Sequence, residues 1–158
     1  VYNAIAQSAQ PIISYNFGQQ NPVRVARTIR LALKTPLGCA IFFFAATLVF
    51  NHQIVGLFID KSYQAYDIAV NGIPYFAVGY LFFALNIVGI GYYQSIERAR
   101  RATVITLFRG TLFMLAGFLL LPPVLGVRGI WLAVPLAELL TLLLIIGIYL
   151  KDSFAVRR

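Results

Sequence analysis

Charge is what this sequence has least of. Only 11% of its 158 residues are Asp, Glu, Lys or Arg, under half of the roughly 25% usual in soluble domains, and a water-facing surface cannot be covered with so few. Acids are the scarcest, 5 against 13 Lys and Arg, for a formal net charge of +8. That basic excess is not a nucleic-acid footprint: it falls in short clusters between long uncharged runs, the pattern of membrane loops. A single cysteine, Cys39, excludes an internal disulfide framework and any CxxC metal or redox pair. The single histidine, His52, has no second His or Cys near it; it reads as a solvated residue of an external loop, and no metal site is expected. No GxGxxG or GxxxxGK[ST] is present, so neither dinucleotide binding nor ATP-driven work is supported, and nothing resembles a catalytic site. The start at Val1, without methionine or a basic leader before a short apolar segment, reads as a truncated beginning rather than a signal peptide.

What is abundant is apolar length. Hydrophobic residues make up 60% of the chain, and four stretches reach the ~20 residues a helix needs to cross a bilayer: 35–59, 68–96, 103–125 and 130–150, the last two separated by a Gly-Val-Arg-Gly turn. Residues 1–18 are apolar but interrupted by Asn3, Gln7, Ser8, Gln10, Ser14 and Asn16. This segment reads as part of a fifth helix that faces protein or a polar cavity rather than lipid. The expected fold class is therefore an all-α membrane protein with about five transmembrane helices.

Loop charges give the orientation, because cytoplasmic loops collect Lys and Arg. Arg24, Arg27, Arg30 and Lys34 follow the first segment, Arg98, Arg100, Arg101 and Arg109 follow the third, and Lys151, Arg157 and Arg158 follow the last. The other side receives only Lys61 and Arg128, beside Asp60 and Asp67. Five crossings with the C-terminus in the cytoplasm satisfy this alternation. Tyr63 and Tyr66 are expected at headgroup level, and Trp131 as an outer interfacial anchor.

Polar residues inside the spans are the candidate functional groups. Gln7, Gln10 and Ser14 are spaced three, four and seven apart and share one helical face, which either lines a central cavity or bonds helices together. Pro11 and Pro135 each remove a backbone donor mid-helix, so kinks are expected there. Asn71, Tyr75 and Asn86 form one stripe, with Gln94 further along; amides and aromatic rings on one face suit amphipathic cations, and helix gluing is the alternative. Glu138 is the one acid deep in a span, hence a candidate ion or proton site by default. Arg109 is its obvious partner, but their expected depths, Arg109 near the cytoplasmic end and Glu138 in the outer half, oppose a direct contact. Gly89, Gly91, Gly110 and Gly117 are expected to permit close helix approach.

Three stretches carry a family resemblance: "AQSAQPIISYNFGQQN", "PYFAVGYLFFALNIVGIGYYQSIERARRA" and "GVRGIWLAVPLAELLT". In order and spacing the chain resembles the multidrug and toxic compound extrusion (MATE) transporters, from the eighth through the twelfth helix of their C-terminal half. The resemblance implies that residues 1–158 are a partial C-terminal lobe of a twelve-helix, two-lobe protein, with the N-terminal lobe and the seventh helix missing. It implies antiport: export of amphipathic, often cationic drugs and xenobiotics across the cytoplasmic (inner) membrane by alternating access, driven by Na⁺ or H⁺, with no further cofactor. The expected partners are the lipid bilayer, small-molecule substrates and the missing lobe, and no nucleic acid. Some members carry a membrane carboxylate in the helix matching residues 81–94; here Phe83 stands roughly in its place, and Asn86 is the nearest polar group. Two other functions compete: a lipid-linked oligosaccharide or peptidoglycan-precursor flippase, which calls for a more cationic cavity, and a non-transporting membrane scaffold or enzyme subunit.

Overall fold

A computed structural model describes residues 1–156, with side chains as far as Asp152. Arg157 and Arg158, two of the cations assigned to the basic side, lie outside the described residues. Among those described, every regular element is helical. Helix α1 spans Tyr2–Gly18 and ends where Gln20 adopts a left-handed φ of 51°. Asn21 then caps α2, Pro22–Val49, its side chain accepting from the Arg24 amide at 3.1 Å, and Pro22 supplies the preset φ of a first helical residue. Because this cap lies well before residue 35, Arg24, Arg27, Arg30 and Lys34 ride on the helix itself rather than in a loop.

The expected 35–59 segment also divides. The backbone leaves helical geometry at Phe50, and a short α3, Asn51–Gly56, follows. His52 is on α3, not in an irregular loop, with Nδ1 3.2 Å from the Tyr66 hydroxyl. Tyr66 is buried with Val55 and Val70 rather than standing at the headgroups, whereas Tyr63 is exposed. In the intervening turn Asp60 accepts from the Ser62 amide at 2.9 Å and the Ser62 hydroxyl at 2.7 Å. These bonds, the amide's first, hold its carboxyl below the usual range.

The expected 68–96 helix is two helices, α4 (Gln64–Ala77) and α5 (Gly79–Ser95), bent by 41° at Val78. Pro74 lies inside α4, which runs on unbroken past it; without an N–H it leaves the Val70 carbonyl free, and the Asn51 side-chain amide donates to that carbonyl at 3.4 Å. Helix α6 (Ala99–Leu107) runs through a π-helical turn (Phe108–Phe113) into α7 (Met114–Leu125). Gly126, at φ 59°, reverses the chain into α8 (Val127–Val156).

Three helical stretches are long and apolar enough to cross a bilayer, and a fourth crossing results if α4 and α5 count as one bent span. The segment expected to be part of a fifth helix is helical from Tyr2 to Gly18, as α1. The main core joins α1, α2, α5, α6 and α8 through Ile13, Val25, Ala32, Val88, Tyr93, Ile105 and Ile145. Outward faces carry Ile41, Phe42, Leu119, Leu120 and Val124, all exposed, as lipid-facing surfaces are. Close approach depends on glycine at three places, one of them Gly129, where a Cβ would stand 2.5 Å from the Leu121 carbonyl. A Cβ on Gly72 would stand 2.0 Å from the Trp131 ring, and one on Gly117 2.9 Å from the Ala133 carbonyl oxygen. Trp131 therefore packs against α4, half-buried. Gly110 faces open space, contrary to the packing role expected of it.

Candidate functional site

The polar centre of the molecule is Glu138, 3% exposed, on the buried face of α8. Arg109, from the π-helical turn, grips it side-on: Nε donates to Oε1 at 2.9 Å and to Oε2 at 3.0 Å, and Nη2 donates to Oε1 at 2.7 Å. Asn86, fully buried on α5, donates through Nδ2 to Oε2 at 2.8 Å and to the Glu138 backbone carbonyl at 2.8 Å. Three helical segments thus converge on one carboxylate. The direct ion pair corrects the expectation that depth keeps Arg109 and Glu138 apart. The helix bearing Arg109 starts at Ala99, ten residues earlier, which sets Arg109 about 15 Å along the axis. Glu138 lies twelve residues beyond Gly126, about 18 Å from the opposite end. Both positions are near the middle of a core roughly 30 Å thick.

The π turn fixes the aim. It holds an extra residue per turn and rotates the helix face relative to a continuous α-helix, and Arg109 is its second residue. The guanidinium also lies over the Phe83 ring, 4.6 Å from the centroid, a cation–π arrangement. Beside the pair is a cavity of about 480 Å³, walled by Tyr2, Phe76, Tyr80, Phe83 and Met114 and reached by Arg109 and Glu138. Its wall is chiefly aromatic: Tyr2 and Phe83 pack at 5.7 Å between ring centroids, Phe76 and Tyr80 at 6.0 Å. One polar atom in the cluster, Asn86 Oδ1, is buried without a hydrogen-bond partner among the described residues.

The family model MatE matches residues 1–119. The chain belongs to the MATE family. Its fold is similar to that of a multidrug resistance MATE transporter in an inward-facing conformation (TM-score 0.82, 16% identity, covering 88% of this chain and 32% of that one). It is also similar to an outward-facing multidrug resistance MATE transporter (TM-score 0.85, 14% identity, 97% and 35% covered) and to a MATE protein in complex with MaL6 (TM-score 0.82, 14% identity, 97% and 35% covered). The chain spans about a third of the length of these structures. No curated protein sequence matches it. It is accordingly part of a multi-pass membrane protein of a transporter family, with a helical transporter fold.

Within this MATE chain the other residues picked out by sequence lie in different places. Gln10 and Gln94 meet between α1 and α5, Nε2 to Oε1 at 3.0 Å. Ser14 donates to the Ser95 carbonyl across the same contact at 2.9 Å. These are interhelical bonds, the second of the two roles open to that face. Gln7, on the same helix, is exposed and has no hydrogen-bond partner among the described residues. Asn71 is exposed and donates to the Asp67 carbonyl at 2.8 Å. Tyr75 is exposed on α4 while Asn86 is buried on α5, so the bend at Val78 breaks the stripe expected to join them. Pro11 is exposed within α1, and Pro135 is buried, with its Cα 3.5 Å from the Cβ position of Gly79. Sequence reasoning missed the aromatic cavity and the π turn. The available signal was Arg109 and Glu138 themselves, the two opposite charges set deep in neighbouring antiparallel helices.

Proposed function

We propose that this chain is the partial C-terminal lobe of a cation-coupled antiporter, driven by Na⁺ or H⁺, that exports amphipathic, often cationic drugs and xenobiotics across the cytoplasmic membrane by alternating access. The observation that carries the reading is a buried carboxylate, Glu138, facing an aromatic-walled cavity while a guanidinium from a neighbouring helix neutralises it. Such a pair has two arrangements. With Arg109 in place, the segment joining α6 and α7 is tied to α8. An entering cation that takes over the carboxylate releases Arg109 and frees that segment to move; the carboxylate keeps one counter-charge, and the freed guanidinium turns to the water-filled cleft, so no unpaired charge stays in the low-dielectric interior. Substrate release and cation entry then bias opposite-facing states.

Of the polar residues marked by sequence, Asn86 belongs to this coupling cluster, while Gln7, Tyr75 and Asn71 are assigned to surfaces open to the central cleft. Pro11 and Pro135 are assigned as bending points. The basic residues on α2 and around α6 set that side in the cytoplasm. A flippase for pyrophosphate-linked sugars is less well supported, since the one cation reaching the cavity, Arg109, is already engaged by Glu138.

The intact protein in vesicles should accumulate a fluorescent cationic dye when a Na⁺ or H⁺ gradient is imposed. Dye movement that ignores both gradients overturns the coupling. Cysteine labelling at Lys61 and Arg101 should report opposite sides of the membrane, and same-side labelling refutes the orientation.

A further inference from the structure

A second, larger cavity of about 1100 Å³ lies in a groove between α1, α2, α5 and α8, away from the Glu138 cluster. Its lining follows helical spacing: Val25, Ile29 and Leu33 on α2, Val88 on α5 and Ile145 on α8. It therefore runs along the helix axes, parallel to the membrane normal. One end is polar, at Gln20 and Asn21 in the turn between α1 and α2, with Tyr92 and Tyr149 at the same level. From Asn21 to Leu33 the groove extends twelve residues, about 18 Å.

The charge of the lining decides what fits. Among the described residues Arg30 is the only charged one in it, and no acid contributes. Arg30 belongs to a row with Arg24, Arg27 and Lys34, spaced three, three and four along α2, all exposed. At 100° per residue the four fall within an arc of roughly 120°, with Arg30 at the edge nearest the groove. None of them has an acidic partner among the described residues. Arg24, in the first turn, also sits at the positive end of the α2 dipole, where cations are unfavourable unless an anion offsets them. A groove with this lining repels the organic cations of the export reading and accepts an amphiphile with a negative head and a long apolar tail.

We propose that this groove binds one anionic phospholipid of the adjoining leaflet, the phosphate held between the polar end at Asn21 and the extended side chain of Arg30, and an acyl chain running from there against Ile29, Leu33, Val88 and Ile145. Arg30 enters the membrane about 12 Å beyond Pro22 along the helix and reaches the headgroup by extending its side chain toward the interface. Arg24, Arg27 and Lys34 draw the same class of lipid to the outer face of α2 but do not line the groove. The site is separate from the coupling cluster, so it holds whether or not the export reading does.

The test is native mass spectrometry of the delipidated intact protein, given phosphatidylglycerol or phosphatidylcholine with identical acyl chains. Phosphatidylglycerol should be retained preferentially. Arg30→Ala should weaken its retention about fivefold, the effect of one basic side chain at a membrane surface, and leave phosphatidylcholine unchanged. Lys61→Ala, on the other side, should change neither. Ala26→Trp, which adds a ring at the groove wall from an exposed position, should lower retention of both lipids. Equal retention of the two lipids overturns the proposal, as does an Arg30→Ala protein that retains phosphatidylglycerol as strongly as the unsubstituted protein. Retention untouched by Ala26→Trp also overturns it, reducing the effect to headgroup attraction along α2. Displacement of phosphatidylglycerol by a cationic dye would assign the groove to the export path instead. A cross-link from a cysteine at Ala26 to another segment of the same polypeptide would show that protein fills it.

Discussion

Two ion clusters tie α8 to its neighbours, built from the same chemistry in opposite surroundings. At mid-membrane, Arg109 meets Glu138 with side chains 16% and 4% exposed. Near the end of α8, Asp152 pairs with both Arg98 and Arg101 at the start of α6, where the arginine side chains are 40% and 37% exposed. The outer cluster has more charge and the inner one more hydrogen bonds. In the inner cluster every donor is placed by a helix, and Asn86 adds a neutral clamp; in the outer one the guanidinia remain in contact with water. Water screens and competes for the outer pairs, whereas nothing replaces a partner lost from the inner one. The inner cluster should therefore govern the stability of the lobe far more than its charge count suggests.

The largest effect is expected from Glu138→Gln. It preserves shape but leaves the Arg109 guanidinium without its counter-charge, and breaking a buried pair from one side costs about 3–5 kcal/mol. The double variant Arg109→Met with Glu138→Leu removes both charges and should recover most of that loss. Thermal unfolding of the intact protein in detergent measures both. Equal losses in the single and double variants would mean that the pair contributes only packing. Under the export reading the double variant should be folded and uncoupled, and gradient-driven dye accumulation in that variant would remove the pair from the coupling step.

Much of the helical layout was legible because apolar runs report span length directly. What escaped was geometry that depends on a backbone irregularity. The Asn21-Pro22 cap is a readable start signal, yet hydropathy alone put the second helix at residue 35. The 41° bend at Val78 that divides Tyr75 from Asn86 follows from how α4 and α5 pack, and α4 runs unbroken through Pro74, the one visible breaker in the segment. The contact between Arg109 and Glu138 was lost through a register error. Counting from residue 103 instead of Ala99 made Arg109 too shallow, and no residue pattern announces the π turn that aims it. The Gln10–Gln94 bond needs the packing of α1 on α5, which spacing within either helix does not contain.

Asn86 gives a smaller effect and tests whether the inner cluster is one unit. Asn86→Leu removes the bonds to Oε2 and to the Glu138 carbonyl but leaves the ion pair. Interhelical polar bonds in membranes average ~0.6 kcal/mol and reach about 1.7, so a loss of about 1–2 kcal/mol is expected. In the background without Arg109 and Glu138 charges the same substitution should cost less, because only the bond to the backbone carbonyl of residue 138 is left to lose. A loss that is identical in both backgrounds would show that Asn86 acts independently of the pair.

The smallest effect belongs to the outer cluster. Asp152→Asn removes the acid shared by Arg98 and Arg101, and pairs this exposed contribute about 0.2–1 kcal/mol. Some of even that is offset, because a carboxylate near a helix C-terminus opposes the dipole, and Arg101 retains its place 6.0 Å from the Tyr93 ring centroid. Salt separates the two clusters more sharply than size of effect. Raising ionic strength from 0.01 M to 1 M shortens the screening length from ~30 Å to ~3 Å, so the Asp152→Asn difference should fade across that range. The Glu138→Gln difference should persist, since ions do not reach a carboxylate buried between helices. If the Asp152 effect survives high salt, the outer arginines are held as tightly as the inner one and the contrast between the two regions fails.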